Sequence, residues 1–243
     1  MKNNTPRIIK TGLFILIILF LSNCGIYDYP FIYPVPIGTI TGELNTNVYI
    51  NTGTDNIGNQ YFTHYIIFYK IYISDTDNSN PIENINSVLA SDYSRINNIS
   101  GSQSIGGAAA YDLITRSLRF SEISLEGTNI DIFLSNASNN INIDFTRDFP
   151  SLSIDNINYY RLTRRHITST SSNERYFLNN INQLRYDIIN NITNGENRDV
   201  QDNTSATKTY SHALMYIMAS GMNTQNFVPV YSSPTYIGIF RLR

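Results

Sequence analysis

Residues 61–75 read YFTHYIIFYKIYISD, and the reading of this stretch decides the fold class. It is rich in β-branched and aromatic residues and closes in a polar cluster, which is the composition of a strand followed by a turn. Successive side chains of a strand point to opposite faces. Tyr65, Ile67, Tyr69, Ile71 and Ile73 therefore make one uniformly apolar face, and His64, Ile66, Phe68, Lys70 and Tyr72 make a mixed one. The pattern predicts a central strand packed on one side and partly covered on the other.

The C-terminal SHALMYIMASGMNTQNFVPVYSSPTYIGIFRLR (211–243) predicts a strand at about 212–220, a long loop, and a final strand at about 234–242. YKIYIS (69–74), ALMYIMASG (213–221) and YSSPTYIGIF (231–240) resemble the C, F and G strands of an immunoglobulin/fibronectin type III-like β-sandwich, with a strand around Glu43 to Ile50 as its B. The resemblance implies a mainly β (α+β) domain over 38–243. Between the C and F candidates lie 135 residues, 75 to 209, whereas such a sandwich is complete in about 100. The expectation is a sandwich with a large insertion at about 79–205.

Within that insertion, Asn80-Pro81-Ile82-Glu83 is a helix start: Asn caps, Pro takes the first position and Glu follows three after the cap. Ile82, Ile85, Leu89 and Ile96 then share a face, which predicts a helix over 81–97. SGSQSIGGAAA (100–110) reads as a small-residue loop, and strands are expected at 117–125, 129–135, 141–146 and 156–167. Ser171-Ser172-Asn173-Glu174 is a second capping pattern, and Phe177, Ile181, Leu184 and Ile188 form an apolar stripe, predicting a helix over 172–191. Residues 193–207 read as a solvated loop. The chain has no internal repeat and no heptad array.

At the N-terminus, Lys2, Arg7 and Lys10 precede an unbroken apolar run, Leu13 to Leu21. That run is too short to cross a ~30 Å hydrocarbon core, which takes roughly 20 residues. It suits the apolar region of a signal peptide. It ends in Leu21-Ser22-Asn23-Cys24, and Cys24 is the only cysteine of the chain. The tetrapeptide resembles the lipobox of bacterial lipoproteins: Leu21, Ser22 and Cys24 match, while Asn23 stands where Gly or Ala is usual. The resemblance implies removal of residues 1–23 and acylation of Cys24. It also implies a place in the bacterial cell envelope with the membrane as partner. Cys24 would be consumed by lipid, and an exported domain without other cysteines risks no wrong disulfide. The following GIYDYPFIYPVP carries Pro30, Pro34 and Pro36, which exclude a helix. It reads as a tether over 24–37 whose aromatics either lie in the lipid interface or, the preferred reading, pack on the domain as an edge strand.

Without residues 1–23 the chain keeps 14 basic and 19 acidic side chains, about −5. Nucleic acid is therefore not an expected partner, because phosphate binding needs a basic footprint. Asn appears 32 times, for which AT-rich coding is an explanation; the same coding fails for the thirteen Arg against four Lys, a preference for which there is no physical account. His64, His166 and His212 have no metal-binding spacing, although His64 and His212 fall on strands expected to be neighbours. DTDNSN (75–80) has alternating oxygens but lacks the glycine and the bidentate glutamate of an EF-hand loop, so it reads as a turn and helix cap. RLTRRH (161–166) concentrates Arg161, Arg164 and Arg165, with Arg116 and Arg119 as further candidates. Such a cluster binds anions or, the preferred reading, pairs with Asp144, Asp148 and Asp155 on a solvated face. No nucleophile elbow, phosphate loop or dinucleotide fingerprint occurs, and no cofactor is implied. The leading expectation is a lipid-anchored envelope protein with a non-catalytic binding or structural role, its protein or glycan partner unspecified. The rivals are an envelope hydrolase acting on glycan or peptide, and a subunit of an envelope complex, which an exposed apolar patch would favour.

Overall fold

The computed structural model describes residues 30–36, 40–42, 47–74, 87–100, 107–126, 130–145, 150–155, 157–164, 175–176, 199–202 and 210–242. The chain divides into Met1–Pro30 and Phe31–Arg243, and apart from Pro30 all described residues belong to the second unit. Its strands are β1 (Ile40–Gly42), β2 (Asn47–Asn51), β3 (Phe62–Ser74), β4 (Ser121–Leu125), β5 (Asn140–Asp144) and β6 (Ser151–Ile154). They continue with β7 (Ile157–Arg164), β8 (Arg175–Tyr176), β9 (Val200–Asp202), β10 (Tyr210–Asn223), β11 (Val228–Tyr231) and β12 (Thr235–Leu242). Helices are α1 (Ser87–Ser100), α2 (Gly107–Asp112), which runs on as a π-helical turn over Leu113–Ser117, and the single turn α3 (Ile130–Phe133).

The described strands form one mainly antiparallel sheet, ordered β1-β2-β5-β6-β7-β4-β3-β10-β11. β12 follows β11 along the same edge of β10, β8 pairs β7, and β9 pairs β3 in parallel beyond the reach of β4. The 61–75 stretch is the spine. β3 and β10 pair from Ser74↔Tyr210 to Phe62↔Gly221, with one bulge at Ser220/Gly221.

Both faces of that pair are buried. Tyr65, Ile67, Tyr69, Ile71 and Ile73 join Ala213, Met215 and Ile217 in one core with residues of β2, β4, β5, β6, β7 and β12. Phe145, just past β5, stacks on Phe240 of β12 at 4.8 Å, although β5 and β12 stand far apart in the sheet order. The sheet must therefore curl so that its two halves face each other. On the outer face, Phe68, Tyr72, Leu214, Tyr216 and Met218 are covered by Leu89 and Ile96 of α1 and by Ala110 and Ile114. The apolar and mixed faces read from 61–75 are the inner and outer faces of β3, and the mixed one is covered more fully than its composition suggested.

Several elements differ from expectation. Residues 130–133 are helical: Leu134 N donates to Ile130 O at 3.0 Å, and spacing by four turns Ile130 and Leu134 to the same core, a choice that short alternating runs do not settle. Residues 107–112 are helix rather than loop, because the alanines after the glycine pair are strong helix formers. Gly107 lets this helix approach β11, since a Cβ there would stand 1.7 Å from Tyr231 O. The 193–207 loop contains β9, and the long loop after β10 contains β11. Arg175–Tyr176 pair with β7 as a strand; the rest of the helix expected over 172–191 lies outside the described residues, as do residues 81–86 of the first. β4, β5, β6 and β7 all fall within the segment read as an insertion, yet they hydrogen-bond into the common sheet.

One outer-face residue yields a prediction. Tyr216 is fully buried, and its hydroxyl finds no hydrogen-bond partner among the described residues. A buried unpaired hydroxyl costs about 1–3 kcal/mol. Tyr216→Phe keeps the ring contacts with Phe120 and Tyr236 and is expected to raise stability by about 1 kcal/mol. A lower urea midpoint for that variant would contradict it.

Candidate functional site

Of the three arginines singled out from 161–166, the two described ones, Arg161 and Arg164, do not come together. Arg161 and Arg164 are three residues apart on β7 and so point to opposite faces. Arg161 pairs with Glu126 at 3.6 Å, half exposed. Arg164 is buried, and its Nε and Nη2 each donate to a carboxylate oxygen of Asp199 at 2.7 Å. Buried in this way, Arg164 offers no surface to an outside anion, and Asp148, one of the acids expected beside the arginines, lies outside the described residues. Arg116 bridges to Asp112 within its own helix at 3.2 Å. Arg165, His166, the 75–80 loop and the lipobox residues Leu21, Ser22, Asn23 and Cys24 lie outside the described residues.

His64 and His212 do lie on neighbouring strands, but His64 pairs with Ser220 and His212 with Tyr72. Eight residues of strand, roughly 27 Å at ~3.4 Å each, separate the two, so they cannot meet. Among the described residues no group of three or more His, Cys, Asp and Glu is placed to hold a metal ion.

Two buried carboxylates hold the fold together, one on each face of β3. Inside, Asp199 takes both Arg164 bonds and a third from Tyr69 Oη at 2.7 Å. Burial opposes the charges of Asp199 and Arg164, but their mutual attraction outweighs it: Asp199 is held below the usual carboxylate range and Arg164 above its ordinary value. Burial, then the neighbouring Asp199 charge, pushes the Tyr69 hydroxyl up. Outside, Asp92 of α1 accepts from Lys70 Nζ and Tyr72 Oη, both at 2.7 Å. Lys70 Nζ also stands 5.2 Å from the Tyr72 ring centroid and 5.9 Å from that of Phe120. Sequence reasoning missed Asp92 and Asp199. Asp92 left a trace, an acid on the Leu89/Ile96 stripe; Asp199 left none, because it stands in a run that reads as solvated.

The exposed surface is organised differently. At the end where β3 begins and β10 finishes, asparagines build the turns. Asn51, Asn59, Asn136, Asn223 and Asn226 each accept a bond from the backbone N–H two residues on, the Asx geometry that suits Asn to turns. Asn56 accepts from Tyr33 N at 3.0 Å and donates to Tyr33 O at 2.9 Å, and Asn59 Nδ2 donates to Phe31 O at 2.9 Å. These bonds fasten residues 31–36 onto the 53–61 loop, with Ile32 and Val35 buried in the core. The segment read as part of a tether thus packs on the domain from Phe31 onward, without strand pairing.

Between these turns the same end displays apolar side chains: Phe227 is 75% exposed, Ile57 61% and Phe31 57%, with Tyr33, Met222 and Val228 beside them. Phe31 and Tyr33 meet edge to face at 5.0 Å. Met222 N donates to Tyr61 O at 2.9 Å, which fixes the β10–β11 hairpin beside the start of β3. The loops carrying these residues contain no Lys or Arg. Among the described residues no helix is long and apolar enough to cross a membrane. Comparison with known proteins finds no matching family, no matching curated protein and no matching solved structure.

Proposed function

We propose that this chain is a lipid-anchored protein of the bacterial cell envelope, held by acyl chains on Cys24, that presents a curled β-sheet domain in a non-catalytic binding or structural role. The observation that carries the reading is the spacing at the N-terminus. A charged start, an apolar run and Leu21-Ser22-Asn23-Cys24 are followed, after only a few residues, by Ile32 and Val35 inside the domain core. A cleavage before Cys24 leaves the whole domain intact. The carboxylates Asp92 and Asp199 are spent on buried ion pairs on opposite faces of β3, so they are not the facing pair that glycoside hydrolysis needs. The finer kinship to a fibronectin type III-like sandwich is part of this proposal. It is supported by the order β3-β10-β12, which is the C-F-G order of that fold.

The test is Cys24→Ser. A single acyl chain anchors only marginally and two or three hold stably, so the variant is expected to leave the detergent-extractable membrane fraction altogether, or to accumulate uncleaved at the size of the precursor. Wild-type distribution and size in that variant would overturn the reading.

A further inference from the structure

We propose that the apolar end formed by Phe31, Tyr33, Ile57, Met222, Phe227 and Val228 is the face on which the domain rests against its own membrane, its side chains seated in the lipid interface. The inference rests on the anchor reading above and adds an orientation to it.

Three observations carry it. The first is covalent reach. Phe31 follows Cys24 by seven residues, a span of at most about 25 Å. Phe31 lies at this end of the unit, bonded to Asn59 beside the start of β3. β3 itself, thirteen residues long, extends for about 40 Å. The domain cannot stand upright on the far end of the sheet on so short a leash, whereas this end stays within reach of the bilayer. The second is composition. Tyr33 is of the type that favours the headgroup level, and it stands among five exposed apolar side chains that alternate with Asn-built turns. No Lys or Arg stands in the loops that carry them, so the contact is apolar rather than electrostatic and is insensitive to salt.

The third is strain. Phe227 has φ +56°, a backbone conformation that a bulky residue rarely adopts. Its N–H closes the hairpin loop onto Asn223 O at 2.8 Å, a position where Gly or Asn is unstrained. This phenylalanine is 75% exposed, so the fold buries little of it in return. A strained residue of this kind points to a use outside the fold.

The chain has no tryptophan, so each substitution to tryptophan gives a single reporter in the lipidated protein that begins at Cys24. The vesicles contain phosphatidylethanolamine and phosphatidylglycerol with brominated acyl chains. Phe227→Trp and Ile57→Trp are expected to lose most of their emission on reconstitution. Ser91→Trp, on the exposed side of α1 next to the Asp92 that binds Lys70 and Tyr72, is expected to keep it. Vesicle-bound protein in which all three reporters keep their emission overturns the proposal and leaves this end to a protein partner. Protein left in the supernatant overturns the anchor reading itself, and this proposal with it. Phe227→Asn, added to the Ile57→Trp chain, is expected to leave the thermal midpoint unchanged or higher while reducing the quenching. A lowered midpoint overturns the strain argument, and undiminished quenching overturns the role of Phe227.

Discussion

Asp199→Asn destabilises the domain by about 3–5 kcal/mol, because it removes one partner of a buried ion pair and leaves the other charge uncompensated. Arg164 is enclosed by the inner core, with both of its bonds to Asp199 at 2.7 Å. The neutral amide keeps the size of the carboxylate but not its charge, and it has one acceptor oxygen where three donors now converge. The loss spreads beyond the pair. Asp199 O accepts from Ile71 N at 2.7 Å, so the same residue docks β9 against β3. The double variant Arg164→Met, Asp199→Leu is expected to recover most of the loss, since a well-packed apolar substitute for a buried ion pair is often neutral. Urea unfolding of both variants checks this. A double variant no better than the single one would mean that the backbone docking of β9, not the charge pair, holds this corner.

This cluster and the Asp92 cluster on the other face of β3 shape the pH range of the fold. Asp199 is held below its ordinary value in the folded state. Its contribution is therefore fully present above the unfolded carboxylate value of about 3.9 and is lost as pH falls through the lower folded value. Tyr69 and Tyr72 are raised, in each case by burial first and by the neighbouring carboxylate next. Their contribution is complete below the unfolded tyrosine value of about 10 and is lost as pH rises above it. Stability is expected to hold between these limits, and Asp199→Asn to flatten the acid limb of a pH titration of the unfolding midpoint and, by removing a charge that helps raise Tyr69, to change the Tyr69 part of the alkaline limb as well. An acid limb unchanged in that variant would assign the acid response to other carboxylates.

What the sequence made legible follows from length and periodicity. β3 and β10 were readable because each is long enough for alternation to declare itself, and because the alternate residues Tyr65, Ile67, Tyr69, Ile71 and Ile73 all face one core. Shorter elements were not. α3 and a strand share the alternating pattern of IDIF, and only the bond from Leu134 N to Ile130 O distinguishes them. Asn, which composition alone explains only as a coding bias, has a local use at the β3–β10 end, where side-chain oxygens close successive turns. The buried acids were hidden for a different reason. Asp199 and Arg164 are distant in sequence, and charge reads as surface until a partner is known. The apolar end was beyond reach because its members come from three separate segments, 31–33, 57 and 222–228, none of which is conspicuous alone.

Gly221→Ala is expected to destabilise by about 3 kcal/mol or more, a small-to-large change at the upper end of its range because the obstacle is backbone. A Cβ at Gly221 would stand 1.8 Å from Tyr61 O and 2.6 Å from Ile32 Cδ1. Ile32 can turn aside; the Tyr61 carbonyl cannot, since it accepts from Met222 N one residue further along the bulge. Gly58→Ala separates sterics from conformation. Gly58 has φ +75° and nothing within 4 Å of its would-be Cβ, so that variant carries only the left-handed backbone penalty of about 1–2 kcal/mol. Ile32→Val, which deletes the Cδ1 atom but not the carbonyl, is not expected to rescue Gly221→Ala. If it does, the side chain was the obstacle after all. The position also bears on the membrane-facing end. Forcing β10 away from Tyr61 loosens the seat of Ile32 and with it the 31–36 segment, the stretch through which any pull from Cys24 reaches the core. Proteolysis of the variant is therefore expected to begin between Pro30 and Gly53 at temperatures where the wild-type chain resists. First cuts elsewhere would separate this glycine from the anchoring of the segment.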